Sequence, residues 1–315
     1  MRFPMAQTIG IAGITGKFAR CIVNSLLQNP HISIRGFCRD RSKLPPSLTS
    51  SPRIHITTGS STDKQALQSF VTGTDVVICC YLGDASLMRD GQKHLIDACV
   101  AAHVPRYIAG DFSVDITRVP HGALPPKDAC KDIMEYLETK DIQGVHILIG
   151  VFMETFWSEF MQIWDPREKR LSYWGTGREV WESTTYGTAA EYTAAVAMDG
   201  TAVGVQQFLG DRKSLFEIVD IFTKAYGYQP AIHNLGSLED LHQSMHENLQ
   251  KNPAEVMAWM PKFFYYWSQN EEARLKRDLD NTKYPSIVPV TFEDFFRRHE
   301  VDALASAADS LAFEI

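Results

Sequence analysis

Two textures alternate along the first half of the chain: short, densely apolar runs, and longer stretches whose apolar residues recur at helical spacing. Gln7-Thr8-Ile9 leads through a glycine-rich segment into residues 17–27, where apolar side chains repeat along one helix face. Residues 33–39 read as a second strand, 54–58 as a short third and 63–71 as a helix. Residues 75–80 are almost continuously apolar, as inner strands of a parallel sheet are. A helix over 88–102, a strand over 106–110, a helix over 127–140 and a strand over 145–149 complete six strands with intervening helices. That alternation predicts an α/β chain built on a doubly wound parallel sheet.

Beyond residue 150 the texture changes. Aromatic clusters appear, first Phe152, Phe156, Trp157, Phe160 and Trp164, then Phe263-Phe264-Tyr265-Tyr266-Trp267. A turn is expected at 174–178, a helix at 188–198, a further strand at 205–209, and mainly helices from 214 onward. The expected division is a sheet domain over 1–150 and a smaller, helix-rich C-terminal domain over most of 151–315. Residues from about 180 to 210 return to the first domain.

The seven residues Gly10-Ile11-Ala12-Gly13-Ile14-Thr15-Gly16 join the first strand to the first helix. In a strand–turn–helix unit the glycines serve different ends. One permits the tight turn, one lets the backbone approach a pyrophosphate, and one lets helix and strand pack closely. The helix N-terminus adds unpaired N–H groups and a positive dipole end. This is the opening of a dinucleotide-binding (Rossmann) unit, with Gly10, Gly13, Thr15, Gly16, Lys17 and Phe18 expected around the cofactor. The end of the second strand selects the nucleotide. There, Arg39-Asp40-Arg41-Ser42-Lys43 offers three cations and a hydroxyl to a 2′-phosphate. Arg39, Arg41 and Lys43 favour NADP(H); Asp40 facing the ribose would favour NAD instead.

Ligands of such sheets lie at the carboxyl ends of the strands. The rule selects Tyr81-Leu82-Gly83-Asp84 after the fourth strand, Asp111-Phe112-Ser113-Val114-Asp115 after the fifth, and Phe152-Met153-Glu154-Thr155 after the sixth. Tyr81, Leu82, Gly83, Asp111, Lys127 and Phe152 are expected on the cofactor. Phe112, Met153, Phe156 and Trp157 are expected to line an apolar substrate pocket. Pro125-Pro126 sets a helix start at Lys127, placing that lysine near the nicotinamide as a proton donor, with Lys131 one turn further as the alternative. His121 is a weaker acid–base candidate, and Asp111 and Asp115 also suit turn or cap positions. The pair Tyr136-x-x-x-Lys140 is set aside, because Tyr136 lies ~13 Å along the helix from Lys127, toward the far edge of the sheet.

Composition narrows the function class. A net charge of −7 argues against non-specific attraction to nucleic acid or an anionic membrane. The six cysteines lie inside expected elements without CxxC spacing, so they read as reduced thiols and no metal site is expected. Residues 1–6 lack the apolar core of a signal peptide, and the longest apolar run, 145–153, is half a bilayer span. A cytoplasmic protein with a small-molecule partner is expected, without a readable oligomeric state.

Five patches in order resemble the NmrA-like, or isoflavone-reductase-like, group of atypical short-chain dehydrogenases/reductases, especially its fungal members. They are the glycine segment with Arg39, Tyr107-Ile108-Ala109-Gly110-Asp111-Phe112-Ser113-Val114-Asp115, Trp174-Gly175-Thr176-Gly177, Thr184-Thr185-Tyr186-Gly187-Thr188-Ala189-Ala190, and Gly210-Asp211-Arg212-Lys213-Ser214. The resemblance covers about residues 7–227. It implies an NADPH-binding Rossmann domain, a small C-terminal substrate domain, and reduction of ketones, enones or related bonds in aromatic secondary metabolites by means of a lysine after strand five. Some members are regulatory NADPH/NADP sensors, and an isomerase, cyclase or dehydratase on the same scaffold is a further alternative. The chain departs at Ala109-Gly110-Asp111, where the group has Pro-Ser-Glu, and at Gly187, where it has Asp. Counted back from the helix end, the group's lysine falls on Cys130, between Lys127 and Lys131.

Overall fold

Ile9, Ile11, Val76, Val77 and Ile78 are all fully buried, so the first and fourth strands lie at the centre of a sheet covered on both faces. The computed structural model describes residues 6–309; the signal-peptide reading of residues 1–6 falls almost wholly outside them. The first six strands are β1 (Gln7–Ala12), β2 (Ile32–Cys38), β3 (Ile54–Thr58), β4 (Val76–Cys79), β5 (Arg106–Ile108) and β6 (Gln143–Leu148). Four short strands follow: β7 (Val151–Phe152), β8 (Trp164–Asp165), β9 (Arg170–Trp174) and β10 (Val180–Thr184). Then β11 (Gly204–Gln207) returns to the main sheet beside β6, as the strand expected near 205–209 should. The sheet runs β11-β6-β5-β4-β1-β2-β3, and every neighbouring pair is parallel. Strand order reverses between β1 and β4, and such a switch point opens a crevice at the carboxyl edge.

Helix α1 (Lys17–Leu27) follows β1; α2 (Pro46–Thr49) is a single turn, and α3 (Lys64–Val71), α4 (Gln92–Ala101) and α5 (Pro125–Glu138) follow β3, β4 and β5. A π-helical turn, Leu87–Gly91, precedes α4 where a regular helix from 88 was expected. Helix α5 starts at Pro125 rather than Lys127, because proline suits a first turn whose N–H has no partner. After α6 (Met153–Trp157) comes α7 (Tyr186–Met198). Ala19, Ile22 and Leu26 of α1 share a core with Ala189, Ala190 and Val196 of α7 on one sheet face. On the other face, Leu67 of α3, Leu95 of α4 and Ile133 of α5 pack against Val77 and Tyr107.

The remaining elements are β12 (Asp211–Ser214), α8 (Leu215–Tyr226), β13 (Ala231–Gly236), α9 (Leu238–Lys251), α10 (Val256–Gln269) and α11 (Phe292–Arg298). Two small sheets, β12-β10-β7 and β13-β9-β8, stand among these helices. Neither was read from the sequence. A separate aromatic core holds Trp157, Trp181, Phe222 and Phe296.

One buried cation ties the first half to the returning segment. Arg106 of β5 is 3% exposed. Its Nη1 donates to the carbonyls of Val196 (3.0 Å) and Ala202 (3.3 Å), and its Nη2 to that of Ala197 (2.6 Å). The guanidinium thus closes the C-terminus of α7, where helix carbonyls lack partners and the dipole favours a cation. Burial lowers its pKa. Arg106→Met should cost roughly 2–4 kcal/mol, because it strands the Ala197 and Ala202 carbonyls and leaves that of Val196 with only the Asp199 N–H. Urea unfolding checks this; a loss under about 1 kcal/mol would show that water replaces the guanidinium.

Candidate functional site

The crevice between β1 and β4 is built by close backbone approach. Gly13 has φ +80°, and a Cβ there would stand 2.7 Å from the Cys80 carbonyl oxygen. Its N–H donates to the Phe37 carbonyl at 2.8 Å, and Gly16 N–H closes the turn on the Gly13 carbonyl at 2.9 Å. Gly16 is the N-cap of α1; no side chain caps this helix, and no acid sits in its first turn. The first-turn N–H groups and the positive dipole end are therefore open toward the crevice. That is the arrangement a pyrophosphate requires.

The glycine register differs from the expected one. Gly10 lies inside β1, where a Cβ would come within 3.0 Å of Val77 and 3.2 Å of Phe70. It is a packing glycine. The close helix–strand position is Ala19, fully buried, so the working spacing is Gly13-x-x-Gly16-x-x-Ala19. Thr15 sits in the turn itself. The Lys17 ammonium pairs with Asp309 and is not free for a phosphate.

Past β2, Arg39 is exposed and has no side-chain partner among the described residues. Asp40 is occupied: its Oδ1 accepts the Ser42 N–H at 2.9 Å and the Ser42 hydroxyl at 2.6 Å, which hold the carboxyl below its usual range. Arg41 Nη2 turns to the Thr49 carbonyl at 3.3 Å, while Lys43 stays exposed. Arg39 and Lys43 are the uncommitted cations. At the facing lip, Cys80 and Tyr81 abut Gly13, and Leu82 is 90% exposed beside Gly83.

Past β5, the Asp111 side chain turns inward, contrary to its expected contact with the cofactor. Its Oδ2 lies 2.6 Å from Nδ1 of His146 in β6, and both residues are buried. Only the Asp111 carbonyl faces outward, and it accepts from Lys127 Nζ at 2.5 Å. Cys130 is buried beneath it, with its thiol 3.9 Å from the Gly110 carbonyl and its pKa raised to about 12 by burial. Lys131 does not reach the strand ends: its ammonium donates to the Val119 carbonyl, and burial lowers its pKa. Of the two expected lysines, Lys127 stands at the site and Lys131 tethers the preceding loop.

Phe112 takes a left-handed backbone, φ +31°, a strained conformation that clusters at functional sites. Its ring lies 4.6 Å from Phe18, which lies 5.1 Å from Phe152; Phe152 in turn meets Tyr186 at 4.2 Å. Three of the expected aromatics thus converge, and Tyr186, at the start of α7, joins them unanticipated. Glu154, expected only as part of the 152–155 segment and given no role there, also stands here. It is 3% exposed, both carboxylate oxygens accept the Tyr186 N–H at 3.0 Å, and burial pushes its pKa to about 7.

Met153, Phe156 and Trp157 belong to the aromatic core. Each is fully buried; Phe156 packs 4.9 Å from Trp181, and Trp157 packs 5.2 Å from Phe296. His121 is exposed and bonds Asp132 at 3.0 Å. Asp115 is buried and holds Thr117 and Gln207. Tyr136 and Lys140 share Asp97, each at 2.7 Å, on the far side of α5. Among the described residues no three His, Cys, Asp or Glu side chains gather to hold a metal, and no helix is long and apolar enough to cross a membrane.

Comparison with known proteins agrees with this geometry. Residues 13–143 match the family described as NAD(P)H-binding. The oxidoreductase aprR of Aspergillus flavus is 25% identical over 191 residues, 58% of this chain and 61% of that protein, so the match spans about three-fifths of the relative's length. Among solved structures, AtPrR2 with NADP+ and (+)pinoresinol has a TM-score of 0.80 at 19% identity, covering 94% of this chain and 99% of that one. An isoflavone reductase has a TM-score of 0.77 at 17% identity, covering 93% and 99%. The first half of the chain is therefore an NAD(P)H-binding domain. The fold as a whole is the one seen in those two solved structures.

The two glycines separate experimentally. Gly13→Ala strains a left-handed residue against the Cys80 carbonyl and should weaken NADPH binding at least ~10-fold, whereas Gly10→Ala should lower the melting temperature and leave affinity within about twofold. Fluorescence titration with NADPH distinguishes them; equal losses of affinity would put Gly10 back in the turn.

Proposed function

We propose that the protein is an NADPH-dependent reductase of a small, apolar, aromatic metabolite, with Lys127 as proton donor. The observation that carries this reading is the Lys127 ammonium held 2.5 Å from the Asp111 carbonyl, beside the strained Phe112. It stands at the same sheet edge as the uncapped α1. The bound cofactor would supply the hydride to a polarised carbon of a ketone or enone. Lys127 Nζ would deliver the proton that completes the reduction, so that the product gains two hydrogens. Arg39 and Lys43 suit a 2′-phosphate, now that Asp40 is engaged by Ser42. Phe18, Phe112, Phe152 and Tyr186 form an aromatic wall against which a flat substrate can stack.

One observation favours a second reading, a non-enzymatic NADPH/NADP sensor: the position that the resemblance gives to a lysine is the buried Cys130. Turnover decides between them. With a panel of aryl ketones and enones, the protein should oxidise NADPH, followed by absorbance. Lys127→Ala should lower kcat at least ~100-fold and leave NADPH affinity within about threefold, whereas Lys131→Ala should retain turnover. Unchanged turnover in Lys127→Ala removes the proposed donor; no turnover on any carbonyl, with different affinities for NADPH and NADP+, favours the sensor.

A further inference from the structure

Away from the crevice, a cavity of about 650 Å³ opens between the loop after β5, β12 and the segment that follows α10. Five cations line it: Arg118, Arg212, Arg274, Lys276 and Arg277. They come from three separate stretches of chain, so no single charged helix face brings them together. Only two acids, Asp115 and Glu271, share the lining.

The nearby carboxylates are largely committed. Asp115 accepts the Thr117 N–H at 3.0 Å, the Thr117 hydroxyl at 2.5 Å and Gln207 Nε2 at 3.0 Å, leaving Arg118 at 3.5 Å. Glu182 accepts the Leu275 N–H at 2.8 Å as well as Arg212 Nε at 2.8 Å. Asp280 serves two ammonium groups, Lys276 at 2.7 Å and Lys283 at 3.0 Å. Arg274 meets only Glu271, whose side chain is 84% exposed, and the Arg274 Nε is buried with no partner. Arg277 has no side-chain partner among the described residues. Four of the five cations meet a carboxylate and Arg277 meets none, so with the Arg274 Nε unpartnered this half-open cavity is left with guanidinium donors for an anion, and such forks bind carboxylate and phosphate oxygens in pairs. The volume suits one small molecule.

We propose that this cavity binds a small organic polyanion, bearing carboxylate or phosphate groups, at a site separate from the cofactor crevice. None of its lining residues belongs to the glycine turn, the 39–43 segment or the 81–83 loop. The site therefore stands whether or not the protein turns over NADPH.

The test is isothermal titration of the full chain, saturated with NADPH, first with citrate and separately with pyrophosphate. At low salt at least one should bind saturably, one per chain, in the sub-millimolar range, and the tighter of the two identifies the oxyanion class. Arg277→Gln removes an exposed, unpartnered side chain; it should weaken binding about tenfold while leaving the melting temperature and NADPH affinity unchanged. Arg277→Glu should abolish binding. The proposal is overturned if neither anion saturates below about 10 mM, if both Arg277 variants bind as the unaltered protein does, or if binding occurs only without NADPH.

Discussion

The crevice depends on one close approach, the Gly13 α-carbon against the Cys80 carbonyl across the β1–β4 junction. No side chain fits between them. Because strand order reverses there, the two strand ends diverge on their outer sides, and the turn after β1 delivers the first turn of α1 into the gap. Gly16, with no side chain to cap the helix, leaves its amides open to a ligand rather than satisfied internally. An ordinary Ser or Asp cap would stabilise the helix and fill the site.

Charge around the crevice is arranged by local pairing. Asp40 is drawn into a cap by Ser42, which leaves Arg39 free in a position where the reverse arrangement would favour NAD. Asp111 is drawn inward by His146, which turns the strand-end carbonyl outward to Lys127 and coincides with the left-handed Phe112. In both places a carboxylate is kept from the ligand side. On the sheet face that α7 shares with α1, Arg106 closes the C-terminus of α7 while Glu154 takes the N–H of Tyr186 at its start, so both ends of that helix are fixed.

The sheet was legible in the sequence because buried parallel strands are short apolar runs, and 75–80 is almost nothing else. The strand at 205–209 was also legible, including its return to the first domain's sheet. β13 was not: it is exposed over most of its length, so it carries no alternation to betray it. The glycine register failed for a different reason. Gly10, Gly13 and Gly16 are evenly spaced, and only the structure shows that the first packs against Phe70 and that Ala19 takes the last position. Phe112 and Phe152 both gather on Phe18, whereas Phe156 and Trp157 joined the core. Apolar rings at adjacent positions look alike until the helix that carries them is oriented.

The most direct measurement is isothermal titration of the unaltered chain with NADPH and with NADH under the same conditions. An uncapped α1 with Arg39 free and Asp40 engaged predicts that NADPH binds at least about tenfold tighter, the contribution of a charge-assisted pair to the 2′-phosphate. Equal affinities, or tighter binding of NADH, would contradict it.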